Sequence, residues 1–119
     1  MIELDDNFGL ESLSNELKTK FEDVQYNKTR VSSYGGDLIF TPNKMYFFVA
    51  PPDPNERHPL DFGGAPKSWC IDINEIAAYG KYGLGGFKIT LNDGQDIRFT
   101  NVFRKLRNNI IEAIEERKK

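Results

Sequence analysis

Two hydrophobic periods alternate along the chain. From residue 10 to 24, Leu10, Leu13, Leu17, Phe21 and Val24 recur three or four apart among Glu11, Asn15, Glu16, Lys18 and Lys20. That spacing makes a single apolar stripe on a helix, and it predicts an N-terminal helix over 10–24, with Ser12 or Ser14 as its cap. Beyond Tyr26 the period shifts toward two, so the run Tyr26-Asn27-Lys28-Thr29-Arg30-Val31-Ser32-Ser33 reads as a first strand.

The segment from Gly35 to Ala50 holds two strand-forming runs joined across Thr41-Pro42-Asn43-Lys44. Proline fixes φ and asparagine tolerates the left-handed region, so Pro42-Asn43 suits the centre of a tight turn. A two-residue loop there pairs Thr41 with Lys44, Phe40 with Met45 and Leu38 with Phe47. This register places Leu38, Phe40, Met45, Phe47 and Val49 on one face. Ile39, Tyr46 and Phe48 occupy the other, which must therefore be covered or form an apolar patch.

Residues 51–67 hold five of the six prolines and show no period, predicting a long irregular loop of the kind that is often functional or mobile. Trp69, Ile71 and Ile73 then alternate with Ser68, Cys70 and Asp72 as a further strand, and Glu75–Tyr82 reads as another. Phe87, Ile89 and Leu91 alternate cleanly with Lys88, Thr90 and Asn92. In the hairpin that follows, a two-residue Asp93-Gly94 turn would set Leu91 opposite Asp96. A three-residue Asn92-Asp93-Gly94 loop instead matches Ile89 with Ile97 and Phe87 with Phe99, with Gly94 left-handed. After Thr100 or Asn101 as cap, Val102, Phe103, Leu106, Ile110, Ala113 and Ile114 form the apolar stripe of a C-terminal helix over 101–117, whose last residues, Arg117-Lys118-Lys119, complement its dipole and fray.

Length changes this picture little: 119 residues suffice for one domain, 1–119, with one core. The acidic start, with Glu3, Asp5 and Asp6, does not read as an export signal, and Met45–Ala50 is too short to cross a bilayer. Cys70 is the only cysteine, which fits a reduced, cytoplasmic setting. A net charge of -2 removes the global attraction that drives non-specific nucleic-acid binding.

Candidate chemistry is sparse. His58 is the only histidine and stands in the proline loop with Asp53, Glu56 and Asp61, without the ligand spacing of a calcium loop. No catalytic triad or phosphate loop can be composed, so neither enzyme activity nor a cofactor or metal is expected. Lys28 and Arg30 alternate on the first strand and are the candidate anion or lipid-headgroup site. The candidate protein-interaction surface is Ile39, Tyr46 and Phe48 together with the stripe bearing Leu13, Leu17 and Phe21. Mutual burial of the two is the simpler reading; a partner or homodimer interface is the alternative.

Seven strands, a long excursion after the third and a terminal amphipathic helix make a mainly β, α+β fold: an antiparallel barrel plugged by its helix. Gly35-Gly36-Asp37-Leu38-Ile39-Phe40-Thr41 with Met45-Tyr46-Phe47-Phe48 resembles the pattern of GRAM and bacterial pleckstrin-homology-like (PH-like) domains, in which a Gly-Leu-x-x-Thr strand turns into an apolar one. Ile71–Ile76 resembles their next strand, and Asp93-Gly94 with Ile97-Arg98-Phe99 their last hairpin. Lys44 precedes Met45 where the family has a basic residue followed by Leu. The likeness spans about residues 25–116, with the N-terminal helix as an addition. It implies a non-enzymatic docking or scaffolding module, with protein partners ahead of lipid headgroups.

Overall fold

The computed structural model of the chain describes residues 1–5, 7–13, 18–28, 33–50 and 67–118. Its order is β1 (Ile2–Glu3), a 3-10 turn (Leu10–Leu13), β2 (Thr19–Asn27), β3 (Ser33–Phe40), β4 (Lys44–Val49), β5 (Trp69–Asp72), a second 3-10 turn (Ile73–Glu75), β6 (Ile76–Lys81), β7 (Phe87–Leu91), β8 (Asp96–Thr100) and α1 (Arg104–Arg117). The strands form one antiparallel sheet of eight, ordered β1-β5-β4-β3-β2-β8-β7-β6. The fold is mainly β with one C-terminal helix.

Both hairpins have the registers their side chains demand. Phe40 pairs with Met45 and Leu38 with Phe47 across the Pro42-Asn43 turn. Ile89 pairs with Ile97 and Phe87 with Phe99, and Leu91 N–H donates to Gln95 O to close the three-residue loop. Gly94 there has φ +90°, with open space where a Cβ would stand. The cost of a side chain is thus purely one of backbone conformation. Gly94→Ala is expected to destabilise by about 1–2 kcal/mol. Gly80→Ala, equally free of neighbours but at an ordinary φ, should be close to neutral in the same denaturation experiment.

The N-terminal helix is overturned. The 3-10 turn ends at Leu13, and from Thr19 the chain is a strand paired with β3. The cause is a bulge. β2 shifts register between Phe21 and Val24, with Asp23 at φ 60° as the inserted residue. An extra residue lets positions three apart share a face of a strand. Phe21, Val24 and Tyr26 therefore all point into the core, and their spacing imitates a helical turn. Leu17, Arg30 and residues 51–66, with His58, lie outside the described residues.

The sheet wraps one face around a single apolar cluster that draws on β2 through β8 and α1, including Leu38, Phe40, Met45, Phe47, Trp69, Phe87, Ile89, Phe99, Ile110 and Ile114. Aromatic rings dominate its centre: Tyr26, Phe47, Trp69 and Phe99 stand with centroids 5.3–6.2 Å apart. α1 lies across this face, and its end is held rather than frayed. Arg117 Nε donates to Thr41 O at 2.8 Å, and Lys118 Nζ donates to Ile76 O.

Candidate docking surface

The opposite face of the first hairpin is covered from within the chain. Ile39, Tyr46 and Cys70 form a second buried cluster with Leu13, against which Leu4, Phe8 and Phe48 pack. The Phe8 ring stacks on Tyr46 at 5.7 Å and on Phe48 at 6.1 Å. β1 anchors this cover by pairing Ile2 with Cys70 and Glu3 with Trp69. The cover is an extended segment and a 3-10 turn, not a helix. Of the surface named from sequence, Leu13, Ile39 and Tyr46 are thus internal, Phe48 is half-buried, and Phe21 faces the main core on the other side of the sheet, edge-on to Phe40 at 5.8 Å. Burial pushes the Cys70 thiol above its ordinary pKa, away from the thiolate form.

Lys28, exposed just beyond β2, lines a cleft of about 510 Å³ with Tyr26, Asn27, Gln95, Asp96, Arg98 and Thr100. Arg98 brings a second cation to it, because Asn27 pairs with Arg98 across β2 and β8. It also brings a carboxylate: Asp96 Oδ2 is 3.5 Å from the Arg98 guanidinium, and Thr90 Oγ1 donates to Asp96 Oδ1 at 2.7 Å. Two cations beside one carboxylate suit a weakly charged anion better than a cluster of phosphates.

Arg98 links this cleft to a second feature. Its guanidinium lies 5.3 Å from the centre of the Tyr82 ring, and Lys88 Nζ lies 5.7 Å from the same ring. Tyr82 opens the turn between β6 and β7, which closes through Tyr82 N–H donating to Gly86 O at 3.1 Å. At the tip, Leu84 is 98% exposed. Gly85, at φ +73°, meets Phe103: a Cβ there would stand 3.0 Å from the ring, and Val102 N–H donates to Gly85 O. The turn is tied to the β8–α1 connection by this contact, and Phe103 remains 62% exposed.

Phe103 was expected on the buried stripe of the helix, with Thr100 or Asn101 as cap. Instead Asn101 takes φ 60° and its side chain donates to Asp23 O at 3.1 Å, so the chain turns outward before the helix begins. Phe103 itself occupies the cap position, with no side-chain cap bond. The first turn of α1 carries no acid; Arg104, Lys105 and Arg107 stand there, against the preference of a helix N-terminus for negative charge. Phe103, Lys105, Leu106 and Asn109 also border a cleft of about 460 Å³ whose other wall is Glu22, Asp23 and Asn101. Glu22 is engaged by Lys20 at 3.2 Å.

Tyr82, Leu84 and Phe103 were not singled out by sequence reasoning. Leu84 alone among glycines carried a signal, since an apolar residue in Gly83-Leu84-Gly85-Gly86 has no strand or helix to bury it. Phe103 carried none, because its position fits a helical stripe. No helix among the described residues is long and apolar enough to cross a membrane.

No protein-family model matches the chain, and no curated protein matches it. Among solved structures it is similar to the crystal structure of the C-terminal domain of an unknown protein from Leishmania infantum, at 17% identity and a TM-score of 0.63, covering 90% of this chain and 88% of that one. At that identity the likeness shows the fold alone.

Proposed function

We propose that this chain is a non-enzymatic docking module with the architecture of the PH-like and GRAM domains. Two features support the architecture. β2 is shared between the β3-β4-β5 meander and the β8-β7-β6 meander, and the C-terminal helix lies over the core they enclose. The docking reading rests on one observation: Tyr82 and Leu84, in the β6–β7 turn, and Phe103, which meets Gly85 of that turn, are three large exposed apolar side chains, with Lys88 and Arg98 against the Tyr82 ring. A monomer keeps such hydrocarbon in water at a cost, and its grouping marks a contact surface. The hairpin face that first suggested a protein partner is consumed by the N-terminal cover, which moves the candidate contact to this end of the molecule.

Photocrosslinking tests the reading in the cells that make the protein. With benzoylphenylalanine in place of Leu84, adducts are expected well above those formed from the same group at Asp93, an exposed position in the other turn. Equal labelling at the two positions would end the docking reading.

The Lys28 cleft supports a second reading, capture of an anionic headgroup, because the fold adds Arg98 to a position sequence had already named. Asp96 limits it to weak binding.

A further inference from the structure

We infer that the N-terminal segment, from β1 through the first 3-10 turn, is an exchangeable strap: the site beneath it, made by the edge of β5 and the outer face of the first hairpin, accepts the same segment from a second copy of the chain. This surface is separate from the turn proposed above for docking and does not depend on it.

The strap and the main core are packed separately. Leu4, Phe8 and Leu13 belong to the small cluster on the outer face, with Ile39, Tyr46, Phe48 and Cys70, and none of the three contributes to the cluster under α1. Lifting the strap therefore removes no side chain from that core. Its own hold is short. β1 is two residues long, and Leu4 N–H donating to Ser68 O adds one bond beyond it. Ile2 is 58% exposed, Leu4 and Phe8 are half-buried, and of the strap's cluster residues only Leu13 is fully buried. Segments with so few buried apolar contacts open well below the free energy of global unfolding.

What the strap covers defines what fits there. With the strap in place Ile39, Tyr46 and Cys70 are buried, and β1 occupies the outer side of β5. Opening presents that apolar face to water together with the unpaired backbone of an edge strand. Trp69–Asp72 holds neither the proline nor the lysine that discourages pairing at such edges. The site therefore calls for an extended segment that pairs with β5 and lays an aromatic ring parallel to Tyr46 and Phe48. The chain's own strap does both: β1 sets Ile2 opposite Cys70, and the Phe8 ring lies within 12° of Tyr46 and 8° of Phe48. Every copy carries the matching segment. Reciprocal exchange between two copies rebuilds each of these contacts, so the cost is confined to bringing two molecules together, and concentration favours the exchanged pair.

Cys70, the chain's only cysteine, reports the opening. In the folded full chain, its modification by dithionitrobenzoate is expected to depend on urea far less steeply than global unfolding does. Phe8→Ala should speed the modification about tenfold by weakening the strap. Ile89→Val weakens only the main core and should leave the rate unchanged. Exchange is read by mixing the parent chain with an Ile2→Cys, Cys70→Ala variant, because position 2 faces position 70 across the β1–β5 ladder. A disulfide between the two chains is expected, in a yield that rises with concentration. It should exceed by about tenfold or more the yield from Asp93→Cys with Cys70→Ala, whose thiol is exposed in the β7–β8 turn. A rate that rises in Ile89→Val would overturn the strap, since Cys70 would then be reached only through unfolding of the core. Cross-linking from position 2 no better than from position 93 would overturn the exchange. So would opening with no mixed disulfide, which would assign the uncovered face to a different protein.

Discussion

Phe47→Ala is expected to destabilise the protein by about 3–5 kcal/mol, the usual cost of removing a fully buried ring and leaving its cavity. Phe47 is 0% exposed and stands at the centre of the aromatic cluster, 5.4 Å from Tyr26, 5.6 Å from Trp69 and 6.2 Å from Phe99. These neighbours belong to β2, β5 and β8, so no local collapse can fill the space without moving three strands. Phe48, one residue on, points to the other face, where it is half-buried and stacks on Phe8 and Tyr46. Its replacement by alanine should cost only about 1–2 kcal/mol, since part of its surface is already in water. Urea titration of both variants reads the difference. Equal costs would mean that the two faces of β4 are not distinguished as described.

That two-faced strand shows what the sequence makes legible. Leu38–Phe40 and Met45–Val49 are apolar throughout, so the register was legible from the turn residues Pro42 and Asn43, whose two-residue loop pairs Phe40 with Met45 and Leu38 with Phe47. The same logic rejects the two-residue alternative at Asp93-Gly94. Register was readable because each strand pairs with its immediate successor, and the pairing energy is local to the hairpin.

Three other features were not readable, each for a physical reason. The bulge at Asp23 gave a strand the three-residue spacing of a helix, and no periodicity argument separates the two over so short a run. β1 is only two residues long, and what fixes it is tertiary: its pairing with β5 and the burial of Leu4 and Phe8 on the hairpin's outer face. Phe103 fits the apolar stripe of α1 by number, but the left-handed backbone at Asn101 turns it outward before the helix starts. None of Tyr82, Leu84 and Phe103 had been picked out from sequence; Lys28, which had, lies in the separate cleft that shares Arg98. Their grouping depends on a contact between Gly85 and Phe103, far apart in the chain, which no local pattern encodes.

The C-terminal end of α1 was read from sequence as a fraying basic tail, and there the structure makes its strongest claim about a single polar residue. Arg117→Ala is expected to cost about 2–3 kcal/mol, in the range for hydrogen bonds made by a charged group. The guanidinium donates through Nε to Thr41 O at 2.8 Å, through Nη1 to Ala113 O at 3.0 Å and through Nη2 to Thr19 Oγ1 at 3.1 Å. It also lies over the Phe40 ring, 5.4 Å from its centre. Thr41 is buried, so its carbonyl cannot simply be returned to water when the arginine is removed. The contacts reach β2, the β3–β4 turn and the last turn of the helix at once, and the residue therefore locks α1 onto the first hairpin. A lysine keeps the charge but has neither the planar fork nor the ring-stacking face, so Arg117→Lys should recover less than half of the loss. A surface ion pair would weaken with salt; these bonds to carbonyls should not, and the cost should be the same within error at low and high ionic strength. Hydrogen exchange should report the site of the damage, with the amides of the last turn of α1 losing protection while those of β7 and β8 keep theirs. If Arg117→Ala left stability unchanged, the helix would be held by its apolar face alone and the lock described here would not exist.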